Sequence, residues 1–140
     1  MLYAAIDTNV LVSALLNVDS KPGLVLLSIF HGETIPLLNR EILAEYREVL
    51  ARKKFHFPPD LVDIILNRLA AVGMDISAAP AEYPEVIDPE DRCFYAVTMS
   101  RREDEDAWLV TGNTRHFPAK PFIVTPAQFI EILHAKREQQ

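Results

Sequence analysis

Short apolar runs alternate along the chain with longer segments in which apolar residues recur at helical spacing. The short runs predict β-strands, and they are "LYAAI", "ETIPLL", "MDIS", "DAWLVTG" and "PFIVT". The longer segments predict α-helices, and they are "VLVSALL", "GLVLLSIF", "NREILAEYREVLARK", "PPDLVDIILNRLAAVG", "DPEDRCFYAVTMSRR" and "TPAQFIEILHAK". Strands that alternate with helices are joined by right-handed crossovers, so this order predicts an α/β fold. We expect a three-layer sandwich with a mostly parallel central sheet flanked by helices.

Residues at the predicted element ends support this assignment. Asn39 and Asp88 are typical N-cap residues, and Thr125 and Gln128 have the spacing of a capping box. Pro36 lies inside the second strand run and cannot donate a ladder hydrogen bond. It therefore predicts an edge strand or a strand end.

Candidate chemistry begins at Asp7, which follows the first strand. Ligands of parallel α/β sheets bind beyond the carboxyl ends of the strands, where Asp7 and the "TGN" segment, residues 111–113, are both expected. Asp7 has an alternative role as a helix N-cap, because all three residues of "DTN" are common capping types.

A second carboxylate, Glu45, lies on the clearest helix. On a helical wheel of about 100° per residue, Glu45 falls roughly 100° from the centre of the apolar stripe near Tyr46. Glu41 and Glu48 fall further away and should face water. Glu45 therefore borders the buried face and can point into a cleft, although it could equally be an exposed partner of a basic residue.

A third carboxylate, Asp91, follows the predicted cap Asp88 by three residues. An acid at that position can reach back to the N–H of the cap, so capping is its leading interpretation when it is considered alone. Together, Asp7, Glu45 and Asp91 lie at a strand end, a helix border and a helix start, positions that this fold class gathers at one edge. Hard divalent cations such as Mg²⁺ bind to such oxygen clusters.

Composition limits the class of protein. The chain has 140 residues, which predicts one domain over 1–140, and its net charge of −6 argues against a generally basic nucleic-acid coat. A single cysteine, Cys93, excludes an internal disulfide and a cysteine-rich zinc site. No segment resembles a signal peptide or a membrane span. We therefore expect a cytoplasmic protein that is not inserted in a membrane.

Four segments in order, "AAIDTNVLVSALL", "EILAEYREVL", "DPEDRCFYAV" and "WLVTGNTRHFP", resemble the PIN-domain nucleases. Among these, the chain looks most like the VapC-type toxins of prokaryotic toxin–antitoxin pairs. The resemblance covers nearly the whole chain. It implies a parallel sheet flanked by helices, cleavage of RNA that depends on Mg²⁺ or Mn²⁺, and an antitoxin protein as partner.

The resemblance also implies roles for individual residues. Asp7, Glu45 and Asp91 match the first three family acids and would be catalytic and metal-binding. Thr8 matches a hydroxyl position often near the metal, whereas Asn9 matches a structural hydrogen-bonding residue.

The fourth segment departs from the fully acidic family pattern. Many members carry an acid where this chain has Asn113, and others carry one where it has His116. Asn113 can still orient water or phosphate through its amide, which leaves one or two metals open. His116 is predicted to be an exposed turn residue, because no residue near it in the sequence is expected to orient it.

An anionic site needs cations nearby to hold the RNA backbone. The candidates are Arg47, Arg115 and the "RKK" cluster with Arg52 and Lys53, although basic residues also simply complement a helix C-terminus.

The alternative function is a catalytically weak or inactive PIN-like module that binds RNA or protein. A homo-oligomer is compatible with either function.

Overall fold

The centre of the molecule is a sheet of five parallel strands in the order β3-β2-β1-β4-β5. The structure is a computed structural model that describes residues 1–139, so the last residue of the predicted domain lies outside it. The strands are β1 (Leu2–Ile6), β2 (Thr34–Leu38), β3 (Met74–Asp75), β4 (Ala107–Val110) and β5 (Ile123–Val124). The predicted α/β class and parallel sheet are confirmed.

Six α-helices form in the described residues, in the segments where the apolar spacing predicts them. They are α1 (Thr8–Leu16), α2 (Lys21–Phe30), α3 (Arg40–Leu50), α4 (Pro59–Val72), α5 (Pro89–Arg102) and α6 (Pro126–Glu138). Short 3₁₀ turns cover Lys53–Phe55, Pro80–Glu82 and Thr114–His116. The third helix is shorter than predicted, because the chain leaves α-helical geometry after Leu50.

The predicted caps are present. The side chain of Asn39 accepts a hydrogen bond from the Ile42 N–H, and the side chain of Asp88 accepts one from the Glu90 N–H. Thr125 and Gln128 make both hydrogen bonds of a capping box. Each bond satisfies an N–H group that has no partner inside its helix, which fixes where these helices begin.

The direction of the crossovers distributes the helices over two faces of the sheet. The connections from β1 to β2 and from β2 to β3 run along the sheet in one direction, whereas α5 connects β3 to β4 in the opposite direction. Because parallel crossovers are right-handed, α5 covers the face opposite to the helices of the first two connections. This arrangement makes the predicted three layers.

The prediction that Pro36 marks an edge strand or a strand end is wrong, because β2 lies between β1 and β3. The register explains why proline is tolerated there. Along a strand, the backbone N–H and C=O groups of successive residues point to alternate sides. The Glu33 carbonyl faces β1 and the Leu38 carbonyl faces β3, so the backbone nitrogen of Pro36 faces β3. On that side β3 pairs only with Leu37 and Leu38, so proline removes no ladder bond.

The core lies on both faces of the sheet. Ala4 and Ala5 of β1 are fully buried, as are the large side chains of Tyr46, Phe94 and Phe129. Burial on both faces is the reason why these strands read as continuous apolar runs instead of alternating ones.

No single helix among residues 1–139 is long and apolar enough to span a membrane; α1 and α2 reach that length and composition only together, as a pair bent by 99°.

Candidate active site

The carboxyl ends of β1 and β4 lie side by side where the strand order reverses. Ile6 pairs with Val110, and the Asp7 N–H donates to the Val110 carbonyl at 2.9 Å. The residues that follow these strands, Asp7 and Thr111, are therefore neighbours. In open α/β sheets this switch point is where ligands bind.

Asp7 is buried at this point and is held by Thr111. Its side chain is 6% exposed, and the Thr111 hydroxyl donates to its Oδ2 at 2.7 Å. Asp7 also occupies the N-cap position of α1; its side chain makes no capping hydrogen bond of regular geometry, although the backbone N–H groups of Asn9 and Thr8 lower its pKa. Capping alone does not explain the carboxylate, because the Thr111 bond turns it toward β4.

Glu45 lies at the border of the buried face of α3, as the wheel predicts: Glu41 and Glu48 are exposed, and Glu45 is half-buried. The Thr8 hydroxyl donates to Glu45 Oε2, which ties α3 to the start of α1. Next to it, the buried Tyr46 hydroxyl donates to the Ile6 carbonyl at 2.5 Å. These two bonds hold Glu45 beside the end of β1.

Asp91 lies in the first turn of α5, where Asp88 does the capping. The interpretation that leads when Asp91 is considered alone, in which Asp91 reaches back to the cap, is wrong, because the start of α5 shows no such bond. Its Oδ2 is buried and has no hydrogen-bond partner in the described part of the chain. A buried carboxylate oxygen without a donor is costly, so this atom indicates a missing cation or donor.

The three carboxylates influence one another electrostatically. Burial is the main cause that raises the pKa of Asp91 to about 6; the charges of Asp7, Asp88 and Glu45 also raise it, and His116 lowers it. Burial also raises the pKa of Asp7 and Glu45 above their ordinary values, against the lowering by their hydroxyl donors, Thr111 and Thr8. The charge of Asp7 further raises the pKa of Glu45. Like charges gathered in this way favour either a proton or a cation.

The expectation that nothing orients His116 is wrong. Its Nε2 lies 2.9 Å from the side-chain nitrogen of Asn113, and its Nδ1 lies 3.4 Å from Asp91 Oδ2. Asn113 is itself fixed, since its N–H donates to the Thr111 hydroxyl at 3.1 Å. The turn after β4 therefore reaches the candidate site through both side chains.

A cleft of about 450 Å³ opens beside Asp91. The residues that line it are Glu85, Ile87, Asp88, Asp91, Arg115, His116, Phe117 and Pro118. Arg115 is the candidate RNA-binding cation that lines this cleft. Arg47 and Arg52 instead pair with Asp63 and Glu48, at 2.7 and 2.9 Å, and Lys53 is exposed in a 3₁₀ turn.

The donor set suits a divalent cation, but the side chains do not converge on one point. Carboxylate oxygens are the ligands that Mg²⁺ and Mn²⁺ prefer, and Asp91 offers an oxygen without a partner. Among residues 1–139, however, no group of three His, Cys, Asp or Glu side chains is placed to hold a metal ion. The set therefore has the chemistry of a cation site without its closed geometry.

The PIN-domain family model matches residues 3–115. The chain belongs to the PIN-domain family. No curated protein and no solved structure matches the chain significantly. PIN domains are typically nucleases and generally use divalent metals, so the family indicates a nuclease in general terms. The matched span contains Asp7, Glu45 and Asp91 and ends one residue before His116.

Sequence reasoning missed Thr111 as a partner of Asp7. The signal was present in "LVTGN", a hydroxyl residue directly after a buried strand. Finding it required knowing that β4 pairs with β1, because only that pairing sets Thr111 beside Asp7.

Proposed function

We propose that this PIN-domain protein is a cytoplasmic endoribonuclease that depends on Mg²⁺ or Mn²⁺. The observation that supports this most is the set of three carboxylates, Asp7, Glu45 and Asp91, brought from separate elements to the switch point of the sheet. Burial raises the pKa of each carboxylate by more than its hydrogen bonds or nearby His116 lower it, so the cluster favours a proton or a cation. A strand end that served only for helix capping would not need such a group.

Asp7, Asp91 and Glu45 would hold the cation, which supplies an activated water and neutralises phosphate charge when it is bound. The remaining residues prepare that site. Thr111 holds Asp7 and Thr8 holds Glu45, so both carboxylates are oriented before substrate arrives. Pre-orientation of this kind lowers the reorganisation needed during catalysis.

RNA would enter beside Asp91, in the cleft lined by Arg115. The exposed guanidinium of Arg115 can bind a backbone phosphate and offset part of the local negative charge. Arg47 and Arg52 could extend this contact only by leaving Asp63 and Glu48, which is inexpensive because both pairs are exposed.

The test is cleavage of labelled structured RNAs with Mg²⁺, with Mn²⁺ and with EDTA. We expect cleavage with either metal, none with EDTA, and a loss of about 100-fold or more in Asp7→Asn, which removes a ligand charge at the centre of the site. Asp19→Asn is the matched control, because Asp19 is exposed in the turn between α1 and α2. Full cleavage by folded Asp7→Asn would contradict the proposal.

The alternative function is a binding module that docks RNA or protein without cutting it. Among residues 1–139 no three candidate metal ligands converge, which favours this candidate. It predicts that the protein binds RNA in a gel-shift assay but leaves the RNA intact with every metal. Asp7→Asn should then bind RNA more tightly, because it removes a negative charge.

We further propose that the nuclease is the toxin of a toxin–antitoxin pair. Its partner would be an antitoxin protein that places an Arg or Lys among the site carboxylates, where charge-assisted hydrogen bonds are strong. Expression of the wild-type chain alone should slow growth, and Asp7→Asn should not. Normal growth with active enzyme would indicate a processing nuclease instead.

A further inference from the structure

His116 faces the unpartnered oxygen of Asp91. The distance between its Nδ1 and Asp91 Oδ2 is 3.4 Å, and that oxygen is buried without a hydrogen-bond partner in the described chain. The contact lies within ion-pair distance but lacks hydrogen-bond geometry, so Asp91 Oδ2 has no hydrogen-bond donor there. The structure therefore places an imidazole nitrogen close to a carboxylate oxygen with no hydrogen bond joining them.

That separation suits two ligands of one metal ion. Donor atoms bound at about 2.1 Å each are about 3 Å apart at a right angle and about 3.4 Å apart at a tetrahedral angle. The pair can therefore bind one cation with little movement of either side chain.

The other ring nitrogen is held as in protein metal sites. His116 Nε2 lies 2.9 Å from the side-chain amide of Asn113. Rotation of that amide by half a turn places its oxygen to accept the Nε2–H, the contact that usually orients a metal-binding histidine. The Asn113 backbone N–H donates to the Thr111 hydroxyl, which fixes the backbone that carries this amide.

We propose that His116 is a metal ligand and that it shifts the selectivity of the site from Mg²⁺ toward Mn²⁺. Imidazole is a poor ligand for Mg²⁺ and a better one for first-row transition ions, whereas carboxylates bind both Mg²⁺ and Mn²⁺, so an imidazole in place of an acid favours Mn²⁺ over Mg²⁺. In this arrangement Asn113 positions His116 and is not a ligand. The inference rests on the proposed function, because it assumes the metal site of Asp7 and Asp91.

The test measures binding of Mn²⁺ and Mg²⁺ alone to metal-free protein, without RNA. We expect His116→Asp, which replaces imidazole by a hard oxygen ligand, to lower the ratio of Mn²⁺ to Mg²⁺ affinity by about tenfold or more. His116→Phe keeps an aromatic ring but removes both nitrogens, and it should weaken Mn²⁺ binding most. His134→Asp is the matched control, since His134 is exposed on α6 and lies near Glu33.

Pulsed electron paramagnetic resonance of bound Mn²⁺ gives a direct readout. The wild-type protein and His134→Asp should show coupling to a ligated imidazole nitrogen, and His116→Asp should not. No nitrogen coupling in the wild-type protein, or an unchanged affinity ratio in both His116 variants, overturns the inference.

Asn113→Asp and Asp7→Asn complete the test. Asn113→Asp should tighten Mn²⁺ binding without changing the number of ions bound, because a carboxylate orients His116 more strongly. A second bound ion would make position 113 a ligand position and overturn the inference.

If Asp7→Asn abolishes Mn²⁺ binding but the His116 variants do not alter it, only the inference fails. If Asp7→Asn leaves Mn²⁺ binding unchanged, the proposed metal site fails as well.

Discussion

Single hydroxyl groups hold two of the three candidate carboxylates. Thr111 donates to Asp7 and Thr8 donates to Glu45, so each of these acids keeps a donor after it leaves water. The Oδ2 atom of Asp91 has none among the described residues, and burial raises the pKa of Asp91 to about 6. The acid without a hydroxyl donor is therefore the one that most needs a cation or a proton.

Thr111→Val tests the role of the fully buried Thr111 hydroxyl. Valine preserves the shape but leaves Asp7 without its donor, so we expect RNA cleavage to fall by about 10- to 100-fold. The free energy of unfolding should fall by about 1 kcal/mol. Single-turnover cleavage and urea unfolding measure the two effects.

The controls for this prediction are Thr111→Ser and Thr98→Val. Serine restores the donor and should recover most of the activity. Thr98 is equally buried, but its hydroxyl donates to the Phe94 carbonyl of its own helix at 2.8 Å. Loss of activity in Thr98→Val as large as in Thr111→Val would show that the effect is general destabilisation.

At the scale of elements, the position of α3 relative to β1 determines whether Glu45 reaches the site. Helix propensity and the Asn39 cap produce the helix, but neither places it against the sheet. The buried Tyr46 ring and its hydrogen bond to the Ile6 carbonyl fix that contact one residue before Asp7. Tyr46 and Glu45 are adjacent, so a shift of α3 moves the carboxylate as well.

Tyr46→Phe removes that hydrogen bond and keeps the ring. We expect the free energy of unfolding to fall by about 1–2 kcal/mol, since the Ile6 carbonyl loses a buried donor. Cleavage should fall more than stability alone explains, because Glu45 loses its fixed position. Tyr95→Phe is the control, since the Tyr95 ring packs against Tyr83 and Phe122. Equal cleavage by both variants would contradict the positioning role.

At the scale of the whole molecule, the fold brings like charges together at the cost of stability. Strand order places Asp7 at the switch point, and the helices on the two faces bring Glu45 and Asp91 to the same end of the sheet. Each of the three acids has a raised pKa. A folded state that binds protons more readily than the unfolded chain loses stability as these acids ionise.

The pH dependence of stability follows from Asp91, whose pKa is raised from 3.8 to about 6. Its neutral form favours folding below pH 3.8, and this contribution is lost as the pH rises through about 6. In EDTA, Asp91→Asn should therefore melt about 2–4 °C above wild type at pH 7.5. The difference should shrink as the pH falls toward 5.

Comparing the melting temperatures of wild type and Asp91→Asn cancels the contributions that all other acids make to the pH dependence of stability. Glu33, for example, has its pKa lowered by the Arg137 guanidinium, so its contribution is present at neutral pH and is lost as the pH falls. Both proteins carry this pair equally. A melting-temperature difference, measured by calorimetry, that stays constant from pH 5 to 7.5 would show that ionisation of Asp91 does not destabilise the metal-free protein.

The sequence alone determined the strands, the helices, their caps and the three acidic positions. These features depend on local periodicity and on side chains within four residues of one another, which is why Asn39, Asp88 and Thr125 were identified as caps. The border position of Glu45 on α3 was also readable, because a helical wheel needs only the order of residues. The family resemblance then linked the acids to one site.

Only the tertiary structure decided which strands pair and therefore which side chains meet. Thr111 holds Asp7 across 104 positions in the sequence, and His116 meets Asp91 from another element. Pro36 is tolerated inside the sheet because β3 is too short to pair beside it. Local patterns carry no information on strand order or register, since both are set by how the apolar faces of distant elements pack together.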